Sequence, residues 1–401
     1  MKRILNAAFQ NRILILLIML LAMSTCGYSG PKMTYIVEMN FGSWLMQEAN
    51  DPSDPQLQAV LSETSRIAAT DSVDKIEALK QALQQKNMVR QARYWFFQPE
   101  EFAPNSSEDD LFRGLHDKWN AANDRLAILL KARLDGFNDY DPEILIDPVT
   151  KRLRITVNKI GDLKTVRNLI QANSDLGFYA TYGIRQIGPT FRSACQSLIM
   201  ADTLVESPDL AQLIHLDQQI VQNKSAFDGR DDAMIGMAAV QDTFTVGRLL
   251  EKIRPNSSLP SDLKWAWSAK PLVGPDDPVF GLYALRTVKG KPEINGEVVT
   301  KAFVSSNLNE SPAVQITMNG EGSDHWLKMT TVNQGRQIAM VIDGAVYSAP
   351  YVQEPISGGS TQITGNFTKE EIKELAALLN AGNLPGQAVI IGEEEKSDSG
   401  K

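Results

Sequence analysis

The residues best suited to chemistry are few in this sequence, and they stand apart from one another. The histidines are His116, His215 and His325, and none of them has a neighbour at the spacing of metal ligands. The sequence contains no phosphate-binding glycine loop, no dinucleotide-binding fingerprint and no nucleophile elbow. We therefore expect no catalytic residue, no metal and no cofactor.

Adjacent acidic residues are the remaining candidates for acid–base chemistry. They occur in polar stretches, where a carboxylate stays hydrated, whereas acid–base catalysis needs a desolvated carboxyl group. The pairs are Asp109-Asp110, Asp231-Asp232 and Asp276-Asp277. A solvated surface is the favoured interpretation, so the sequence is typical of a binding protein that is not an enzyme.

Bulk composition narrows the class of partner. The 401 residues are 43% hydrophobic and 22% charged, which fits a globular body with a substantial core. The net charge of -8 argues against a nucleic-acid partner, because such proteins need a basic face. The cysteines, Cys26 and Cys195, are too few for a disulfide framework. Cys195 lies on an apolar helical face and is expected to be a buried, inert thiol.

The N-terminal residues predict export. Lys2, Arg3 and Arg12 precede the apolar run 13–23, whose roughly 11 residues fit a signal-peptide core better than the ~20 of a membrane span. The following Ser-Thr-Cys-Gly, which ends the predicted segment 1–26 at Cys26, resembles a lipobox. The alternatives are a lipid-modified Cys26 at the mature N-terminus and an uncleaved anchor. Both put the rest of the chain in the cell envelope, on the periplasmic side of the cytoplasmic membrane.

The first half predicts a sheet covered by helices. A strand over 34–40 is followed by a helical face over 57–83, and the aromatic cluster in 92–102 favours a buried strand. The later predicted elements are a helix over 115–134, strands at 144–146 and 153–157, a helix from Gly161, and a strand over 176–182. This is the β-α-β-β-α-β order of a ferredoxin-like unit.

The middle of the chain, 189–253, predicts helices, with an apolar stripe at 210–220. Strands return from Lys264, and the stretch 335–385 carries the strongest local signals. Asp343-Gly344 indicates a tight hairpin turn, and Gly358-Gly359 indicates another turn before a strand at 361–364. Thr368 and Glu371 form a capping box at the start of a helix that should end near Gly382.

Together these stretches resemble the SecD family of protein-export subunits, which are often fused to SecF. The head resemblance rests on Asp343-Gly344, Ser348-Ala349-Pro350, Ile356-Ser357-Gly358-Gly359, Gln362-Ile363-Thr364-Gly365 and Phe367-Thr368. The base resemblance rests on Arg133 to Phe137, Asp141 to Ile144, Arg152 to Val157 and Gly161-Asp162. The segment 176–182 resembles the fused SecDF form of Bacteroidetes-like bacteria.

The resemblance implies an α+β fold, with a ferredoxin-like base, a helical insert and an α+β head. Residue patterns and resemblance together predict the boundaries 1–26 for the signal or anchor, 27–188 for the base, 189–262 for the insert, 263–385 for the head, and 386–401 for a final strand and a disordered tail. The implied function is that of the exported P1 domain in Sec-dependent protein export, with translocon components and translocating polypeptide as partners. No apolar stretch after Met23 approaches about 18 residues, so we expect no proton-coupling helices in this chain.

The site expected from the resemblance is the head-turn motif. Its members are residues that set turns, and their expected role is mainly structural. They are Asp343, Gly344, Pro350, Gly358, Gly359 and Gly365. Two other functions stay open: a lipoprotein scaffold of an envelope complex that never contacts substrate, and, least favoured, an envelope hydrolase.

Overall fold

The computed structural model describes residues 32–69, 74–98, 101, 106–137, 140–158, 162–201, 232–254, 258–272, 278–305 and 312–396. The helices are α1 Phe41–Glu48, α2 Pro55–Ala68, α3 Lys75–Gln85, α4 Val89–Phe96, α5 Glu108–Asp135, α6 Leu163–Gln171, α7 Ile184–Ala201, α8 Thr243–Ile253, α9 Gly320–Val332 and α10 Lys369–Ala381. The strands are β1 Lys32–Met39, β2 Glu143–Ile146, β3 Leu153–Asn158, β4 Leu176–Ala180, β5 Met234–Ala239, β6 Leu263–Trp267, β7 Val279–Arg286, β8 Ile294–Asn295, β9 Val299–Ser305, β10 Ala313–Met318, β11 Ile338–Ile342, β12 Ala345–Ser348, β13 Ser360–Ile363 and β14 Ala388–Lys396.

The base is an antiparallel sheet in the order β14-β1-β3-β2, covered on one face by helices. Strand β1 alternates as an amphipathic strand should, and it turns Tyr35, Val37 and Met39 toward the helices. In chain order the base reads strand, helices, hairpin, helix and strand, which is the predicted β-α-β-β-α-β order. The head is inserted between α6 and β14, so the chain leaves the base and returns to it.

The prediction that 176–182 forms the last base strand is wrong. β4 lies inside a head sheet of order β12-β11-β4-β8, and the fourth base strand is β14. All five residues of β4 are buried, which suits a strand covered on both faces. The charged run from Glu393, expected to be a disordered tail, pairs with β1, and Arg167 and Arg154 pair with Glu393 and Glu394.

The prediction of a buried strand in 92–102 is also wrong, because the aromatic cluster begins in α4. Trp95 and Phe96 are buried on one side of this helix, whereas Tyr94 is 70% exposed. The Trp95 indole N–H donates to Asp54 at 2.8 Å. Aromatic residues favour strands, but packing against neighbouring elements can outweigh that preference. The helical face predicted over 57–83 is divided between α2 and α3.

The middle of the chain is not purely helical. Between α7 and α8 the strand β5 pairs with β7, in a three-stranded sheet of order β5-β7-β6. The core under this sheet includes Cys195, which is fully buried. The stripe predicted at 210–220 lies outside the described residues.

The head combines the β12-β11-β4-β8 sheet with a second sheet, β13-β10-β9, and helices α9 and α10. These elements share a core built around Phe178, Trp326 and Ile338. Helix α10 contributes Ile372 to this core and Leu378 to the base core, so it joins the two bodies. The fold class is α+β, as predicted.

Candidate functional site: the base–head junction and the open edge of the head

Two short linkers connect the base with the head, and they lie side by side. One follows α6 through 172–175, and the other follows α10 through 382–387. They are joined by a hydrogen bond from the Leu384 N–H to the Asn173 carbonyl, at 3.1 Å. Each contains a residue of positive φ, Ser174 at 66° and Gly382 at 83°, so both linkers turn sharply at this place.

Arg133, near the end of α5, closes the junction from the base side. Its side chain is fully buried, and its guanidinium donates to acceptors on both linkers and at the end of α6. The acceptors are the carbonyl oxygens of Leu169 (3.2 Å), Ala172, Asn173 (3.2 Å) and Gly382 (2.9 Å), and the Ser174 hydroxyl (2.8 Å). Burial lowers the pKa of Arg133 to about 10, so the group remains a cation at neutral pH. One side chain therefore donates to several acceptors of both linkers at the buried junction.

Asp343 closes the junction from the head side. Asp343 and Gly344 have φ values of 50° and 83°, which a two-residue type I′ hairpin turn requires, and the flanking Ile342 and Ala345 pair directly. The Asp343 carboxylate accepts hydrogen bonds from the backbone N–H groups of Ser174 (3.1 Å) and Asp175 (2.8 Å). The turn of the head-turn motif thus binds the linker that leads out of the base.

A second carboxylate, that of Asp175, lies in the same cluster. Burial, followed by the nearby charge of Asp343, raises the pKa of Asp175, and Asn383 on the other linker donates to its Oδ1 at 3.3 Å. These residues are far apart in the sequence, so no local pattern could have brought them together in a prediction.

We expect Asp343→Asn to weaken the junction without changing the turn, because asparagine also tolerates a positive φ. The variant loses the charge and one of two acceptor oxygens, so the free energy of unfolding should fall by about 1–2 kcal/mol. Urea denaturation of the full chain measures this change. Asp324→Asn, on the exposed side of α9, is the matched control and should lie within about 0.5 kcal/mol of the parent. Equal stability of the two variants would contradict a junction role for Asp343.

The other members of the head-turn motif lie in two places. The Pro350 carbonyl accepts from the Ile338 N–H at 3.2 Å, beside β11. Gly358 and Gly359 have φ values of 82° and 59° in the turn before β13, and the Gly359 carbonyl accepts from the Met318 N–H at 2.8 Å. Gly365 follows β13, next to the Phe367 ring. A functional role for this motif stays a prediction.

The two edges of the β13-β10-β9 sheet differ. At the β9 edge, the Asn380 side chain from α10 forms two hydrogen bonds with the backbone of Ala302. Its Oδ1 accepts from the Ala302 N–H at 2.8 Å, and its amide N–H donates to the Ala302 carbonyl. An amide side chain therefore fills the position that another strand would take.

The β13 edge has no such cover among the described residues. The Gly359 carbonyl bonds to β10, so in the alternating antiparallel ladder Thr361 and Ile363 also bond to β10. Ser360 and Gln362 therefore direct their N–H and C=O groups outward. The strand contains no proline and no charged residue, the usual protections of a sheet edge. This arrangement can accept an additional strand.

Among the described residues, those first considered for chemistry do not gather into a site, and Asp231, Asp276 and Asp277 lie outside the described ranges. His116 lies exposed on α5 beside Asn120, His325 lies exposed on α9, and Asp110 belongs to the capping box of α5. His215 and the tentative lipidation site Cys26 lie outside the described residues. Within the described ranges, no group of His, Cys, Asp and Glu is arranged to hold a metal ion. No helix in the part of the chain that the structure describes is long and apolar enough to cross a membrane.

Comparison with known proteins identifies the class. Residues 283–386 match the family model described as SecDF, P1 head subdomain. The protein translocase subunit SecD of Rhodothermus marinus is 26% identical over 366 residues, which is 87% of this chain and 58% of that protein. SecD of Rickettsia bellii is 41% identical over 106 residues, or 26% of this chain and 21% of the relative.

Solved SecDF structures are also similar. A crystal structure of SecDF in its super-membrane-facing form matches with a TM-score of 0.39 and 19% identity, covering 73% of this chain and 29% of that chain. A structure described as a membrane component SecDF that enhances protein export matches with a TM-score of 0.36 and 20% identity, covering 68% of this chain and 92% of that chain.

The chain is therefore similar to protein translocase subunits SecD, and the resemblance to the SecD P1 domain is confirmed. This similarity is most specific over residues 283–386, from β7 to just beyond α10, which match the model of the SecDF P1 head subdomain.

Proposed function

We propose that the chain takes part in Sec-dependent protein export on the outer side of the cytoplasmic membrane, where its head binds extended segments of translocating polypeptide. The observation that carries this proposal is the open β13 edge beside an opposite edge closed by Asn380. A chain emerging from a translocon is extended and variable in sequence. Strand addition suits it, because main-chain hydrogen bonds provide affinity that does not depend on side-chain identity.

The proposed partners are translocon components and the exported polypeptide, with no nucleic acid. Membrane attachment would come from a lipid on Cys26 or from an uncleaved N-terminal segment, without proton-coupling helices in this chain. Mass spectrometry of the mature N-terminus distinguishes these attachments, since acylation adds a defined mass to Cys26.

We expect Gln362→Pro to weaken binding of an extended, unfolded peptide by about tenfold or more. Proline removes an outward N–H and puts a ring where the added strand would lie, while no ladder bond to β10 is lost. Fluorescence anisotropy with a labelled unstructured peptide measures the affinity of the full chain. Gln362→Ala, which keeps the N–H, is the matched control and should bind like the parent. Equal binding by all three proteins would contradict strand addition at β13.

A further inference from the structure

The open β13 edge is neutral as well as unpaired. No residue from Pro355 to Thr368 is charged, although 22% of the whole sequence is. Two copies of the chain carry a net charge of -8 each, so they repel one another over most of their surfaces. Charged side chains are also the usual barrier to pairing between sheet edges. A neutral stretch that contains an exposed strand is therefore a surface at which a second copy can approach closely.

The backbone of β13 is complementary to itself. The N–H and C=O groups of Ser360 and Gln362 point away from β10, because Thr361 and Ile363 bond to β10. When two such strands run antiparallel about a two-fold axis at Thr361, Ser360 of one copy faces Gln362 of the other. Each facing pair exchanges both of its hydrogen bonds, so the outward groups of both strands are satisfied together.

The side chains also match in this register. Ser360 and Gln362 are exposed on the outer face of the sheet. There Gln315 of β10 donates to the Ser360 hydroxyl at 2.6 Å and accepts from the Gln362 amide at 2.8 Å. A second copy brings serine opposite glutamine again, across the two-fold axis. On the inner face Thr361 meets its own symmetry mate, and cross-strand threonine pairs are favourable.

We propose that β13 pairs with β13 of a second copy, in an antiparallel two-fold dimer whose continuous sheet has the order β9-β10-β13-β13-β10-β9. The partner strand occupies the N–H and C=O groups that strand addition would use, so the dimer and a bound polypeptide exclude each other. Self-association thereby protects an edge that would otherwise pair without specificity. The dimer requires only the open edge and does not depend on the binding of exported polypeptide.

Sedimentation equilibrium of the full chain measures the association. A strand of four residues forms a small interface, so the dimer should be weak and should appear as the concentration rises to about 500 µM. Gln362→Pro removes an outward N–H from each copy and puts a ring against the partner strand, so the dissociation constant should rise at least about tenfold. Gln362→Ala keeps the N–H and should still form the dimer.

Cysteine crosslinking tests the register. In the proposed pair the Cα atoms of Thr361 and its symmetry mate lie about 4.5 Å apart, within the reach of a disulfide. The Cα atoms of Gln362 and its mate lie about 8 Å apart, beyond that reach. In a Cys26→Ser background, mild oxidation should therefore link Thr361→Cys into a dimer and leave Gln362→Cys unlinked. The background chain retains the buried Cys195 and should give no linked dimer.

The outcomes separate the dimer from the proposed function. Crosslinking at position 361 alone, with association lost in Gln362→Pro, would support the dimer. A chain that stays monomeric at the highest concentration, or that crosslinks equally at 361 and 362, would overturn it. If such a monomeric chain still binds an unfolded peptide, the proposed function stands without the dimer; a dimer that binds no peptide at any dilution would leave the dimer and remove the proposed function.

Discussion

Replacing Arg133 by methionine is expected to lower the free energy of unfolding by about 3–5 kcal/mol, because several acceptors at the buried junction lose a charged donor at once. Methionine retains the apolar stem of the side chain, so the loss reports on the guanidinium rather than on packing. The acceptors belong to both linkers and to the end of α6. The substitution should therefore destabilise the base and the head together.

Urea denaturation and limited proteolysis measure this effect together. We expect early cleavage in the linkers 172–175 and 382–387, where the guanidinium holds the backbone. Lys131→Met on the same helix is the matched control, since Lys131 is exposed and its partners within the described ranges are Asp135 and the Pro142 carbonyl. Its change should stay within about 0.5 kcal/mol. An Arg133 variant as stable and as protease-resistant as this control would show that the junction does not depend on the guanidinium.

Gly359→Val is the second change with a large expected effect, a loss of about 3 kcal/mol. Gly359 has a φ of 59°, which costs a branched side chain about 1–2 kcal/mol, and a Cβ atom there would lie 2.8 Å from the Ser323 Cβ. Relieving that contact must move α9 away from the turn before β13, which adds the cost of overpacking.

Gly358→Val separates the two causes. Gly358 also has a positive φ, 82°, but an added Cβ atom meets nothing within 4 Å. It should show only the backbone strain, about half the loss of Gly359→Val in the same denaturation experiment. If the Gly359 variant resists proteolysis and supports export like the parent, the close approach of α9 to this turn is not needed.

The elements that sequence predicted well are those specified by nearby residues. The Asp343-Gly344 hairpin, the capping box of Thr368 with Glu371, and the positive φ of Gly382 at the end of α10 all follow from short-range chemistry. Such signals involve residues within a few positions of each other, so they do not depend on contacts with distant parts of the chain.

The predictions were wrong where contacts between residues far apart in the sequence determine the structure. β4 has five residues and β14 has nine, and no local feature shows which of them joins the base sheet. Two acidic residues of β14, Glu393 and Glu394, pair with arginines on α6 and β3, and these distant partners could not be read from the local sequence. The aromatic residues of α4 pack from a helix into the base core. Their intrinsic preference for strands does not indicate this packing.

The candidate site was hidden for the same reason. Arg133 and Asn380 act on backbone atoms far away in the sequence, at Gly382 and Ala302 respectively. The insertion of the head between α6 and β14 places both linkers at the same spot, where a single buried arginine reaches them. Only the glycine-rich turns of the head were visible beforehand.

Site-specific photocrosslinking during export tests the central proposal most directly. A photoreactive residue replaces Gln362 on the open β13 edge or, as a control, Phe303 on the outer face of the same sheet. The proposal predicts crosslinks from position 362 to exported polypeptides of unrelated sequence, and few from position 303. Crosslinks from 362 only to resident membrane proteins, or to nothing, would contradict it and favour a scaffold that never contacts substrate.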